Sequence, residues 1–344
     1  EIIKKNIEII EKKLDHIFKD VVLILGNFNC SCINISGFKR LNGSQVLKEN
    51  ISFILNSLKL AVNENEKQKT ILHIFNSKSI LDGINTENLP IGLFGDLYSH
   101  ELTFFLINNN ELKNIKKVFN KNNLYIKKFI LKQFVEGSQL INKNKDINNF
   151  FKIRFDRNMS YINFFENDSF RYSESFNFGT NIILNDIRKI CALKDEEIRN
   201  FLSKYNFDKK DLDKDELLEK EYFFKNQYRK IKKKLILGII EARIEEIVNI
   251  IFLENINIKH FKKDTINIYL TLVDSQIFKN FENKFKSIFL KKDKYDVYFI
   301  DDLDIDETII NVSSLETYGW KKEAIPIVQA KNSLITRIFK SLFG

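Results

Sequence analysis

The sequence predicts an α/β protein that opens with a small α+β unit and ends in an amphipathic helix. Three observations predict it. Strand-like and helix-like hydrophobic patterns alternate along most of the chain. The order strand, helix, strand between residues 99 and 131 calls for a crossover and therefore for parallel pairing. The first 85 residues or so read instead as helix, strand, strand, helix, strand, the order of a separate α+β unit.

Each element has its own signal. Ile7, Ile10, Leu14 and Phe18 recur at helical spacing among lysines and glutamates, so residues 2–18 form an amphipathic helix. Residues 21–25 are a short apolar strand that stops at Gly26-Asn27, and residues 32–37 alternate as a second strand. Val46, Ile51, Ile54, Leu55 and Leu58 line one side of a helix reaching residue 61. Residues 70–75 return to strand, followed by a turn at Asp82-Gly83 and a loop over 88–95. Then come a strand at 99–107, a helix at 110–120, a strand at 126–131 and a helix around 135–141. Strands at 151–155 and 160–165 follow, with Asn167-Asp168 as a hairpin turn. Helices at 181–192 and 195–205 lead into a charged helical stretch that runs to Lys234. Residues 235–253 are the most apolar helix, with Ile239, Ile240, Ile244, Ile247 and Ile251 at core spacing. Strands at 266–272 and 296–300 flank a helix at 275–289.

Composition narrows the class. With 344 residues the chain supports one large or two medium domains. Its 32 Phe and 11 Tyr against one Trp predict a core of Phe and Ile. With 2 Pro and 11 Gly, its loops are built from Asn and Lys. Cys30, Cys32 and Cys191 show no metal-ligand spacing, and the first two share one face of a strand as small buried residues. That usage predicts a reducing, cytoplasmic compartment. No apolar run reaches the roughly 18 residues of a membrane span, and no signal-peptide pattern is present. The first residue is Glu1 and the only methionine is Met159, which predicts that the natural chain continues upstream.

Net charge is +9. Residues 225–234 carry six basic side chains and no acid, while residues 301–307 are acidic. The basic run is expected to be a solvated helix face, and nucleic-acid binding is the weaker reading of it. His16, His73, His100 and His260 are scattered, so no hydrolytic constellation forms.

Several collinear phrases resemble FtsA, the actin-like bacterial cell-division family. They are Thr70-Ile-Leu-His-Ile-Phe with Ile80-Leu-Asp-Gly83, Asn88-Leu-Pro-Ile-Gly-Leu-Phe-Gly95, and Glu111-Leu-Lys-Asn-Ile-Lys-Lys-Val-Phe119. Further along, Phe178-Gly179-Thr180 with Asn185-Asp186-Ile187, and Leu237 to Ile247, continue the series. The resemblance implies an actin-like (ribonuclease H-like) fold with an inserted α+β subdomain over residues 1–87. Residues 88–180 would complete the first actin-like domain, whose opening strands lie upstream. Residues 181–325 would form the second, with an FtsZ-facing subdomain at about 190–234. A linker at 326–332 would join the closing helix at 333–344.

The resemblance also locates two nucleotide loops, and both depart from the family pattern. Residues 155–163 occupy the place of a loop rich in glycine; they retain Asp156 but contain no glycine. Residues 271–277 occupy the place of a later loop, again without glycine. Side chains at such positions obstruct close phosphate approach and penalise positive φ. The residues that would meet ATP on this mapping are Asp156, Arg157, Asn158, Gly179, Ser275 and Gln276. The chain is expected to bind ATP weakly or not at all and not to be an enzyme, with no catalytic or metal-ligating residue assigned.

At 100° per residue, Leu334, Ile335, Ile338, Phe339, Leu342 and Phe343 cover one half of a helix, and Arg337 and Lys340 lie on the other. No acid follows Glu323. This is the pattern of an interfacial helix drawn to anionic lipid, and the resemblance implies the same. Six partly buried apolar side chains contribute roughly 6 kcal/mol, much of it offset by ordering the backbone. One such tail binds weakly, and several on one assembly bind well. The function implied is a tether linking FtsZ to the cytoplasmic face of the inner membrane at the septum, self-associating and binding no nucleic acid. An active actin-like ATPase is the alternative.

Overall fold

The computed structural model describes residues 2–26, 28–144, 147–204, 216–223, 227–262, 266–273, 281–290, 295–302 and 304–326. They fall into two units: Glu1–Asn148 with Phe165–Ser173 and Leu303–Gly344, and Asn149–Phe164 with Glu174–Asp302.

The first unit starts with α1 (Ile2–Leu14), none of whose residues is buried. β1 (Asp20–Leu25) follows. Next come β2 (Ser31–Arg40), α2 (Lys48–Asn65), β3 (Lys69–Leu81), β4 (Ile84–Thr86) and β5 (Leu97–Asn108). β5 lies antiparallel between β2 and β3, and β4 also pairs with β3. Ile54, Leu55, Leu58 and Val62 of α2 pack on Tyr98, Leu102, Phe104 and Leu106 of β5. α3 (Asn109–Asn120) then leads to β6 (Tyr125–Leu131), which pairs in parallel with β1, and to α4 (Lys132–Lys143).

Two expectations change here. The order around residues 99–131 predicted a parallel sheet with crossover helices. The crossover does yield a parallel pair, but the partner of β6 is β1, about a hundred residues upstream. The boundary expected at residue 87/88 falls between β4 and β5, both of which hydrogen-bond to β3. Residues 31–108 are therefore one antiparallel layer, bracketed by the β1–β6 pair.

A five-stranded sheet runs β11-β10-β7-β8-β9, its residues in the second unit except for Phe165–Ser173. β7 (Asn149–Phe155), β8 (Ser160–Glu166) and β9 (Ser169–Phe176) form a meander. Its second turn is the predicted Asn167-Asp168 pair, at φ of 48° and 64°, the left-handed region that short Asx residues tolerate. α5 (Asn181–Cys191), α6 (Asp195–Lys204) and α7 (Lys233–Val248) follow. β10 (Ile266–Leu272), α8 (Glu282–Leu290) and β11 (Tyr295–Phe299) complete the set, with β10 parallel to both β7 and β11. A three-stranded meander extended by two parallel strands is the actin-like, ribonuclease H-like arrangement that was expected. The meander belongs to this sheet.

The charged stretch before α7 is not the expected helix. Among its described residues are a 3-10 turn at Lys220–Phe223 and an antiparallel bridge between Leu217 and Lys232. Lys233 is buried and donates to Glu216 (2.6 Å) and Glu219 (2.5 Å). Burial alone would lower its pKa, but the two carboxylates hold it above the usual lysine value.

The chain then returns to the first unit with α9 (Ile305–Tyr318) and β12 (Glu323–Pro326), which pairs antiparallel with β3. α9 was not foreseen, because the acidic run looked like charge alone. Asp306 and Glu307 occupy its first turn, where a helix favours negative charge. Asn311 anchors it, donating to the Val135 carbonyl and to Ser138 Oγ of α4, both at 2.9 Å.

Aromatic packing dominates this unit, as the composition predicted. Phe105, Phe170 and Phe165 stack face to face at centroid spacings of 4.2 and 4.7 Å, and Phe75 packs edge-on against Phe170 and Phe134. The Phe165 ring lies against Gly137 of α4, where an added Cβ would sit 1.9 Å from it. Cys30 and Cys32 are half-buried rather than buried; the Cys30 thiol faces the Leu106 carbonyl at 3.2 Å. Among the described residues no helix is long and apolar enough to cross a membrane, and no group of His, Cys, Asp and Glu is placed to hold a metal.

Gly137→Ala should destabilise the protein by about 2 kcal/mol despite alanine's better helix propensity. Urea denaturation should show the loss shrinking in a Phe165→Leu background, where the ring no longer obstructs the methyl. A second test concerns pH. Burial lowers His100 to about 4 from the ordinary histidine value. The unfolded chain therefore binds more protons between pH 6.5 and 4, so stability falls as pH falls through that window, by up to about 3 kcal/mol. Comparison of denaturation midpoints at pH 7 and pH 4.5 should show a smaller loss in His100→Phe.

Candidate functional site

Of the six residues implied for nucleotide contact, Asp156, Arg157, Asn158 and Gly179 come together at one end of the second unit's sheet. β7, β10 and β11 are parallel, and their carboxyl ends are Phe155, Leu272 and Phe299. In open α/β sheets this is the end where ligands bind. Asp156 leaves β7 there and Val273 leaves β10, the Val273 N–H donating to the Phe155 carbonyl (3.1 Å).

The turn after β7 is closed by its own backbone, Asp156 N–H donating to the Met159 carbonyl at 2.9 Å. It packs directly on the start of α5. Thr180 N–H donates to the Asp156 carbonyl and Asn181 N–H to the Arg157 carbonyl, each at 2.9 Å. The Asn181 side chain donates to Asn158 Oδ1 (2.8 Å), and Ser160 Oγ donates to the Phe178 carbonyl (2.7 Å). Free N–H groups at a helix start are what normally receive an anion. Here the two that face the turn are taken by main-chain oxygens.

Gly179 permits this closure. A Cβ on it would lie 2.1 Å from the Asp156 carbonyl oxygen and 2.7 Å from the Arg157 carbonyl carbon. Even a methyl group has no room between the turn and the helix. The turn and the start of α5 are therefore held together by main-chain hydrogen bonds.

Asp156 is engaged from its other side. Arg154, nearly buried, donates through Nε to Asp156 Oδ1 (2.8 Å) and through both terminal nitrogens to Asp302 (2.5 and 2.9 Å). The bidentate fork fixes the orientation of the cluster. Arg154 and Asp302 were not foreseen; they lie 148 positions apart and follow no local motif. Arg157 and Asn158 are exposed on the turn. Ser275 and Gln276 lie outside the described residues, as does the whole tail set: Leu334, Ile335, Arg337, Ile338, Phe339, Lys340, Leu342 and Phe343. The expected FtsZ-facing region, 190–234, is described only in part.

No protein-family model and no curated protein matches the sequence. Solved structures do. The chain is similar to the PilM-PilN type IV pilus biogenesis complex, at 8% identity and a TM-score of 0.48, over 92% of this chain and 83% of that one. It is similar to a Bacteroides thetaiotaomicron protein with actin-like ATPase fold, at 10% identity and 0.35, over 89% and 80%. A third is MreB 5 of Spiroplasma citri bound to AMPPNP, at 12% identity and 0.39, over 62% and 66%. At these identities the likeness concerns the fold alone.

Gly179→Ala should cost about 3 kcal/mol, since the added methyl meets main-chain atoms that cannot step aside. Gly238→Ala on the exposed side of α7, where a Cβ meets nothing within 4 Å, should instead stabilise by about 1 kcal/mol. Thermal unfolding of the two variants side by side separates a packing glycine from a dispensable one.

Proposed function

We propose that the chain is a membrane-tethered adaptor of the FtsA kind, linking an FtsZ polymer to the cytoplasmic face of the bacterial inner membrane without turning over ATP. One observation carries the non-enzymatic part. The helix-start N–H groups that would face a nucleotide phosphate donate to the carbonyls of Asp156 and Arg157. Asp156 is also paired to Arg154, so its carboxylate already has a cation as partner.

The tethering part rests on the sequence: an apolar half-turn face over residues 334–343, flanked by basic residues, after the last acid at Glu323. FtsZ as partner, self-association and septal location rest on the collinear FtsA-like phrases. In this reading the actin-like body supplies multiplicity, so that many weak tails hold one assembly on the membrane.

Co-sedimentation with anionic liposomes tests the anchor. The full chain should pellet with vesicles containing phosphatidylglycerol, and deletion of residues 333–344 should leave it in the supernatant at the same salt. Equal pelleting of both proteins would refute the anchor. Equilibrium dialysis against ATP tests the other half: saturable binding at micromolar nucleotide would favour the actin-like ATPase instead.

A further inference from the structure

One helix of the first unit gathers charge of a single sign on one side. At 100° per residue, Lys113, Lys116, Lys117 and Lys121 of α3 and its cap fall within an arc of about 140°. All four are exposed, and with Asn120 they line a shallow hollow. Leu112 is buried and Ile115 and Phe119 half-buried, which marks the core-facing side of the helix. Lys69 is bridged to Glu66 and Lys127 to Glu316, but among the described residues none of these four lysines meets a carboxylate. Like charges three and four residues apart destabilise a helix, so folding gives no reason to gather them.

The face has a definite place in the fold. Lys69 at the start of β3 lies opposite Asn108, the N-cap of α3. Asn109 N–H donates to the Gln68 carbonyl (2.9 Å) and Thr70 Oγ1 to Asn109 Oδ1 (2.5 Å), so α3 starts at that same end of the sheet. β12 runs antiparallel to β3, with Glu323 opposite Phe75 and Pro326 opposite His73. It is therefore heading toward Lys69 where it stops. About 13 Å of sheet separates His73 from Lys69, and residues 327–332 can span about 20 Å. The chain thus leaves β12 toward the end of the layer at which α3 begins.

We propose that this lysine face docks on an anionic lipid bilayer beside the tail. The inference rests on the tail reading above for the surface it meets. An apolar segment that binds marginally holds well once a polybasic patch is added to it. Each lysine near an anionic leaflet raises affinity roughly fivefold, so four of them supply the electrostatic half of an attachment whose apolar half is the tail. Nucleic acid fits the face less well. It carries no arginine fork for phosphates or base edges and no aromatic ring for stacking.

Flotation of the full chain with phosphatidylcholine vesicles, with and without one third phosphatidylglycerol, tests the face. The variant Lys113→Gln, Lys116→Gln, Lys117→Gln, Lys121→Gln keeps helix propensity and its tail. It should bind the anionic vesicles at least about tenfold more weakly at low salt. A control with the same loss of charge among exposed lysines of the second unit, Lys189→Gln, Lys194→Gln, Lys230→Gln, Lys259→Gln, should bind nearly as well as the unaltered chain. Raising the salt should weaken the unaltered chain steeply and the α3 variant little. Equal loss in both variants, or no loss in the α3 variant, would overturn the proposal. So would tighter binding of duplex DNA than of anionic vesicles, lost in the α3 variant, which would assign the face to nucleic acid. Deletion of residues 333–344 separates the two readings. If it leaves binding unchanged while the α3 variant loses it, the anchor fails and the lysine face stands; the opposite pair of results sinks the face and keeps the anchor.

Discussion

The first unit is tied together by one buried imidazole. His73 is fully enclosed and bonded at both nitrogens: Nε2 accepts from the Leu131 N–H (3.3 Å) and Nδ1 is paired with Glu323 (2.6 Å). Because Nε2 accepts, the ring proton resides on Nδ1, where the carboxylate takes it. Through this one side chain β3 meets both β12 and the end of β6, so the antiparallel layer is joined to the parallel β1–β6 pair. Removing either partner strands a buried polar group, which is far more costly than the net worth of the bond. The neighbouring ring of Phe134 at 5.4 Å keeps the tie dry.

Much of the fold was legible, and the illegible parts share a cause. The strands, the Asn167-Asp168 turn and the apolar helix around Ile240 and Ile244 follow from local periodicity and turn chemistry, which a sequence carries within ten residues. Pairing does not have this property. Nothing in residues 125–131 says that the partner is β1 rather than β5, because both are apolar strands of suitable length. The helix at 305–318 is hard to read for a different reason: its acidic first turn has the pattern of a solvated charge run, and only Val312 and Leu315 carry core spacing. At the candidate site, Asp156 and Gly179 were locatable through the family resemblance. Arg154 and Asp302 were not, since an ion pair between distant segments leaves no trace in local pattern.

Two glycines mark where the fold needs close packing. Gly137 and Gly179 stand where a methyl group would collide with a ring and with a carbonyl, respectively. Both are retained for close packing. At the two places where glycine would admit a phosphate, residues 155–163 and 271–277, the chain carries side chains instead.

If the corner closed by the Thr180 and Asn181 N–H groups on the Asp156 and Arg157 carbonyls takes no nucleotide, as proposed, no change of state there would drive assembly. Assembly on a membrane would then be governed by mass action alone. Each weak tail raises the local concentration of the next body, and each body-to-body contact raises that of the next tail. The steepness of such a system comes from the number of coupled weak contacts, so strengthening any one of them would blunt it. On this view the modest apolar face of residues 334–343 is matched to an anchor that must also let go.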